Sequence, residues 1–230
     1  MTAFPQQIKG SIFSMDGVIV DTTPYHYVAW SRLARELGFE FSEQQHFTLR
    51  GLSRMESLER ILDWGGMYMT EAEKLHWADV KNNWYQEMIV QMKPGEVLPG
   101  VLDFLKETHR HGLKMALSSG SRNARLVLRS TQIETLFDAV VDGNDIRKPK
   151  PDPHSFLIAA AALGLNPADC VVFEDLPEGV EAALRGGFFV VGVGDPAELS
   201  RAHFVIPGFQ GVGYADLMIQ LQELHSIPVE

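Results

Sequence analysis

The stretch Ile8-Lys9-Gly10-Ser11-Ile12-Phe13-Ser14-Met15-Asp16-Gly17-Val18-Ile19-Val20-Asp21 decides how this chain is read. Ile8–Phe13 is short and mostly apolar, and it gives way at once to a hydroxyl, a carboxylate and a glycine. Four further runs have the same character: Leu113–Ser118, Phe137–Val141, Cys170–Phe173 and Phe188–Val193, with His203–Ile206 a weaker sixth. Runs of this length that are apolar on both faces suit central strands of a parallel sheet. Helical patterns lie between most of them, which predicts a doubly wound α/β fold.

About a hundred residues separate the first run from the second, far beyond an ordinary crossover. That interval carries helix signals of its own. Thr23-Pro24 places an N-cap before a helical proline and opens a helix to about Leu37. Ser53-Arg54-Met55-Glu56 and Thr70-Glu71-Ala72-Glu73 are capping boxes, each starting another helix. Trp77, Val80, Trp84 and Met88 form an apolar stripe along the last of these. Pro94-Gly95 and Pro99-Gly100 then return the chain to the sheet. The expected architecture is a Rossmann-like core, residues 1–21 and 94–230, with an inserted α-helical cap at 22–93. Both crossings are narrow, so the cap is expected to swing.

Composition narrows the possible functions. The 230 residues hold 30 acidic and 20 basic side chains, a formal charge of −10, which argues against a nucleic-acid partner. No apolar run reaches the roughly 18–20 residues of a membrane span, and Met1–Gly10 lacks the pattern of a signal segment. A cytoplasmic monomer without membrane association is expected. The single cysteine, Cys170, excludes an internal disulfide and a cysteine zinc site, and it reads as an inert core thiol.

Ligands of open parallel sheets gather at the carboxyl ends of the strands, and three such ends here carry chemistry. Phe13–Asp21 resembles the first motif of the haloacid dehalogenase superfamily of phosphotransferases, Asp-x-Asp-Gly-Val-x-x-Asp. Leu117-Ser118-Ser119-Gly120-Ser121 resembles the hydroxyl-bearing second motif. Lys148-Pro149-Lys150-Pro151-Asp152, on a loop, resembles the lysine-bearing third, with Lys148 taken as the catalytic lysine. Val171-Val172-Phe173-Glu174-Asp175 resembles the acidic fourth. Four motifs in the family's order, across nearly the whole chain, make the resemblance specific.

The residue types suit phosphoryl transfer, which needs a nucleophile, a cation and donors around the equatorial oxygens. The resemblance implies Mg²⁺ held by Ser14, Asp16, Glu174 and Asp175, hard oxygen donors suited to that ion. Lys148, Ser119, Gly120 and Ser121 would hold the transferring oxygens, and Asp16 would act as general acid and base. The family's nucleophile is an aspartate, and this chain has Ser14 in its place. Serine is shorter and neutral and needs a base. It removes both the acyl-phosphate route and one negative ligand. Three readings of Ser14 stand: an introduced substitution that traps a substrate complex, a natural non-catalytic relative, or a serine that is itself phosphorylated.

The cap resembles that of the β-phosphoglucomutase family. His26 and Trp30 share a helix face, and in that family the histidine hydrogen-bonds the acid/base, here Asp16. Gly51-Leu52-Ser53-Arg54-Met55-Glu56-Ser57 resembles the substrate-specificity loop, with Gly51, Leu52, Ser53, Arg54 and Ser57 as binding candidates. Arg54 would clamp a second phosphate bidentately. Lys81 matches a lysine that reaches the sugar, and Asn123 a substrate contact in the core. The resemblance implies interconversion of β-glucose 1-phosphate and glucose 6-phosphate through a hexose bisphosphate. A sugar-phosphate phosphatase and a silent sugar-phosphate binding protein are the alternatives.

Overall fold

The structure is a computed structural model that describes residues 8–226, with side chains through 221. The expectation for Met1–Gly10 therefore falls largely outside the described residues. The chain divides into two compact units, residues up to Asp21 with those from Lys93 onward, and Thr22–Met92.

In the first unit the strands are β1 Gly10–Phe13, β2 Lys114–Ser118, β3 Ala139–Val141, β4 Cys170–Glu174, β5 Phe189–Val193 and β6 Phe204–Ile206. Among the described residues they form one parallel sheet in the order β3-β2-β1-β4-β5-β6. This is the Rossmann-like, doubly wound core expected from sequence. β1 lies at the centre, with Phe13 opposite Leu117 of β2 and Phe173 of β4. The strand order reverses direction between β1 and β4, which is where such sheets leave room for a ligand.

Successive residues of β1 serve opposite faces. Ile12 packs with Val172, Val190, Phe156, Ala160 and Val180, which brings in the helices His154–Leu163 and Pro177–Arg185. Phe13 stacks on Phe173 with ring centroids 4.8 Å apart and meets Phe104 and Phe137 edge-on. Each fully buried ring of this kind contributes roughly 1.5–3 kcal/mol. Apart from the small, fully buried Ser11 of β1, the interiors of the central strands β1 and β4 are apolar. Cys170 is buried and free, and burial pushes its thiol up to about 12, consistent with an inert core position. Next to the first motif the chain leaves and re-enters this unit side by side. Leu98 N–H donates to the Ile19 carbonyl at 2.9 Å, and Val20 bridges Val97.

The second unit is helical: α1 Thr23–Glu36, α2 Glu43–Phe47, α3 Arg54–Gly65 and α4 Glu71–Ile89. The core-domain helices continue the numbering as α5 Val101–Arg110, α6 Ala124–Ser130, α7 His154–Leu163, α8 Pro177–Arg185 and α9 Tyr214–Ser226. Both expected capping boxes are present, Ser53 with Glu56 and Thr70 with Glu73. α1 starts one residue earlier than expected, with Thr22 at the cap position, no side-chain capping bond, and Pro24 inside the first turn. α2 was not expected, although Ser42 and Gln45 form a third capping box of the same pattern.

The stripe expected along α4 is also corrected. The buried face is Ala78, Lys81, Tyr85 and Ile89, one position round from Trp77, Val80, Trp84 and Met88, which are half-buried. Counting apolar residues misplaces this face because a lysine occupies its middle. No helix among the described residues is long and apolar enough to cross a membrane.

Candidate active site

The site in the sheet unit begins where the β1 ladder ends. Ser14 N–H donates to the Phe173 carbonyl at 3.0 Å, which carries the parallel pairing one residue past Phe13 and fixes the serine at the strand tip. Its hydroxyl accepts from Lys150 Nζ at 3.3 Å, and the same ammonium donates to Glu174 Oε2 at 2.6 Å. Glu174 is fully buried at the end of β4, and its Oε1 accepts from the backbone N–H groups of Asp175 and Leu176. A Cβ on Gly179 of α8 would come within 2.1 Å of the Glu174 carboxyl carbon, so a glycine there makes room for this carboxylate. The Lys150 ammonium also lies 4.8 Å over the Phe156 ring.

This geometry corrects the choice of lysine. Lys148 is 69% exposed, 3.6 Å from Asp152 in a surface pair, whereas Lys150 reaches Ser14 and Glu174. The two Lys-Pro dipeptides are adjacent and chemically equivalent in sequence, so only the course of the loop separates them. Lys150 is the residue that sequence reasoning missed; the duplicated dipeptide was the available signal.

The first and fourth motifs meet at Gly17. Its φ is +72°, and a Cβ there would fall 2.1 Å from Asp175 Oδ2, so the Asp175 carboxylate lies directly against the Gly17 backbone. A tight turn holds this segment, with Gly17 N–H donating to Val20 O and Ile19 N–H to Met15 O, each at 2.8 Å. Asp16 is half-buried beside it.

At the end of β2, Ser119 N–H donates to Val141 O. Ser119 Oγ accepts from Ser121 N–H, and Ser121 Oγ from Asn123 N–H, both at 3.2 Å. Each hydroxyl is thereby oriented while keeping a proton to donate. Gly120 is exposed and Asn123 buried. Because Leu117 pairs with Phe13, this loop leaves the sheet at the same end as Ser14.

The cation donor set is more modest than expected. Among the described residues no three His, Cys, Asp or Glu side chains gather as a metal-holding group. Glu174, read from sequence as a ligand, has both oxygens engaged by Lys150 and backbone N–H groups, so it is first the partner of that lysine. The other donors read from sequence are the Ser14 hydroxyl, which itself accepts from Lys150, and the Asp16 and Asp175 carboxylates. All are oxygen donors, which fits Mg²⁺, an ion that keeps several waters and binds through one or two carboxylates.

In the helical unit a second constellation is built on α1, α3 and α4. Lys81 is only 2% exposed, and its Nζ lies 2.8 Å from His26 Nδ1, 4.2 Å over the Trp30 ring and 5.1 Å over that of Tyr85. His26 stacks on Tyr85 with centroids 4.1 Å apart. With Lys81 as an ammonium, which can only donate, Nδ1 would accept and the neutral ring would carry its proton on Nε2. Burial, reinforced by the Arg54 charge, holds Lys81 well below the ordinary lysine range. Burial likewise holds His26 well below its usual value, helped by Lys81, His46 and Arg54.

Arg54 is the first residue of α3 and donates to Asn82 Oδ1 at 2.8 Å, with Asp79 at 3.8 Å. Among the other specificity-loop candidates, Ser53 spends its hydroxyl on the cap, accepting from Glu56 N–H. Leu52 packs on the cap core, Gly51 is exposed, and Ser57 is buried.

The model of the haloacid dehalogenase-like hydrolase family matches residues 11–193. The chain belongs to this family. A β-phosphoglucomutase of Bacillus subtilis is 41% identical over 201 residues, covering 86% of this chain and 89% of that protein. A phosphorylated carbohydrates phosphatase of Thermotoga maritima is 34% identical, covering 78% of this chain and 82% of its own. The crystal structure of a β-phosphoglucomutase from Clostridium difficile superposes with a TM-score of 0.88 at 36% identity, covering 94% of this chain and 98% of that one. Within the haloacid dehalogenase-like family the chain is therefore β-phosphoglucomutase-like, and its relatives include phosphatases as well as mutases.

Proposed function

We propose that this chain carries a mutase-type site for β-glucose 1-phosphate, glucose 6-phosphate and their hexose bisphosphate, with turnover impaired by Ser14. The observation that carries this reading is the presence of two separate cationic sets. One is Lys150 at the strand tips beside Ser14; the other is Arg54 with Lys81 on the helical unit. A phosphatase needs only the first set. A mutase must recognise a phosphate at either end of the sugar.

In the sheet unit, Lys150, held in place by Glu174, donates to an oxygen of the transferring phosphate. The Ser119 and Ser121 hydroxyls donate to its oxygens. Asp16 exchanges a proton with the sugar hydroxyl. Mg²⁺, held by Asp175, the Ser14 hydroxyl and Asp16, would add charge neutralisation at the same oxygens. Ser14 cannot form an acyl phosphate, so the step that the family's aspartate performs is missing.

A coupled assay on β-glucose 1-phosphate with bisphosphate primer, for the chain as it stands and for Ser14→Asp, tests the reading. By analogy with deletions of other enzyme nucleophiles, the aspartate variant should gain about 10⁴–10⁶-fold. If Ser14→Asp hydrolyses sugar monophosphates but does not isomerise them, the phosphatase reading replaces this one, a reading the Thermotoga maritima relative favours. If Ser14→Asp does neither while still binding the ligand, the chain is a binding protein.

A further inference from the structure

In the sheet unit the turn that follows β3 lies directly against the second-motif loop. Two backbone bonds carry the contact of β2 with β3 past the strand ends. Ser119 N–H donates to Val141 O at 3.0 Å, and Gly143 N–H donates back to Ser121 O at 3.2 Å. A Cβ on Gly143 would fall 2.3 Å from Gly120 O and 3.0 Å from Arg122 N. Both are backbone atoms, so neither can swing aside as the tip of a side chain would. The Gly143 φ lies outside the left-handed region. The glycine therefore answers to space and not to backbone conformation.

Its neighbours build the turn that presents it. Asp142 is buried, and its Oδ1 accepts from Asn144 N–H at 2.8 Å and from Asn144 Nδ2 at 2.9 Å. Asp142 N–H donates to Asp145 Oδ2 at 3.0 Å. Arg125, in the first turn of α6, reaches the same strand end and donates to Val140 O at 2.9 Å, with Asp142 Oδ2 3.8 Å from its Nε. The second-motif loop is thus held at two points, by Val141 and Gly143 along Ser119–Ser121 and by Arg125 just after Asn123. The connection from β3 to α7 that opens with this turn also carries Lys150, 3.3 Å from Ser14 Oγ.

We propose that Gly143 is a positioning residue for phosphate: by letting two backbones touch, it sets where the Ser119 and Ser121 hydroxyls stand on the connection that also delivers Lys150. The proposal rests on the reading above that these hydroxyls donate to a phosphate in the sheet unit. A methyl group at position 143 has no room and must push the Gly120–Arg122 backbone outward. Hydrogen bonds to an anion weaken steeply as donor and acceptor separate, and a positioned group displaced by about 1 Å can lose roughly 10²-fold in effect.

The test is calorimetric titration of the full chain with inorganic phosphate in the presence of Mg²⁺, with far-ultraviolet circular dichroism as the check on folding. Ser119→Ala should weaken phosphate binding about 10–100-fold, the scale of a hydrogen bond to a charged group. Gly143→Ala should weaken it about 5–50-fold while keeping the dichroism of the unaltered chain. In the double variant the further loss from Ser119→Ala should shrink to about 3-fold or less, because a donor already displaced has little left to give. Asp145→Ala changes an exposed residue that accepts from Asp142 N–H, and it should weaken phosphate binding about 2–5-fold.

If Ser119→Ala weakens binding and a folded Gly143→Ala does not, the positioning role is overturned while the phosphate reading survives. A Ser119→Ala loss as large beside Gly143→Ala as in the unaltered chain overturns it too, since the contact then serves packing alone. Should Gly143→Ala fail to fold, Asp145→Ala decides, and undiminished affinity in that variant overturns the proposal. If Ser119→Ala itself binds phosphate like the unaltered chain, the underlying reading fails and takes the proposal with it.

Discussion

Two largely buried lysines, one in each unit, face opposite electrostatic situations. Lys150 in the sheet unit is matched at 2.6 Å by Glu174, a fully buried carboxylate that also accepts two backbone N–H groups. Lys81 in the helical unit points its ammonium at a neutral imidazole and aromatic faces, and burial and a second cation hold its ionisation down. The first charge is internally balanced and belongs to the architecture of the site. The second sits against neutral groups at these distances. Removing one partner of a buried pair strands the other charge, whereas a buried cation among neutral groups carries its desolvation cost without a countercharge.

The largest expected effect bears on the balanced side. Ser14→Asp places a second carboxylate next to Lys150, and gain of turnover by about 10⁴-fold or more in the primed mutase assay would show that the strand-tip site is otherwise complete. Stability comes next. Lys150→Ala strands Glu174 without its countercharge and should cost about 3–5 kcal/mol in denaturant unfolding. Lys148→Ala should leave the same curve unchanged, because its pair with Asp152 is largely exposed. Equal losses for the two variants would erase the distinction between them.

The unbalanced side makes the opposite prediction. Lys81→Met keeps the volume and removes the desolvated charge, so melting of the helical unit should rise by roughly 2–4 °C while bisphosphate affinity falls. A drop in melting temperature would show that Lys81 is held by more than its neutral neighbours.

The smallest effect is a pH dependence. His26 is neutral in the folded chain because its proton affinity lies well below the ordinary value of 6.5. As pH falls through that value the unfolded chain takes up a proton that the folded one refuses, so stability falls. Tryptophan fluorescence melts between pH 7.5 and 5 should show a decline that His26→Gln flattens. Lys81 acts with the same sign below its ordinary value of 10.5.

Much of this was legible in the chain itself, for reasons that differ by element. β1, β4 and β5 are legible because strands covered on both faces are mostly apolar along their length, with only the small Ser11 breaking the run in β1. The boxes at Ser53 and Thr70 were readable because capping needs only residues three apart. Ser42–Gln45 carries the same signature, but the five-residue helix it starts is too short to show an apolar period. Lys148 and Lys150 could not be told apart, since a Lys-Pro pair reads alike at both positions. The inward face of α4 was misjudged for a related reason: a lysine counts as polar by type, although its long stem and ring-covered ammonium can sit in the middle of a packed face.

The sequence by itself determined the order of strands and helices, the interval in which the helical unit is inserted, and the chemical groups at each strand end, because these depend on neighbours a few residues apart. Only the tertiary structure decided which groups serve one another. Ser14 meets Lys150 across 136 positions, His26 meets Lys81 across 55, and Arg54 meets Asn82 across 28. Pairings of that range depend on where the packed sheet and helices carry each backbone, and no local pattern encodes that.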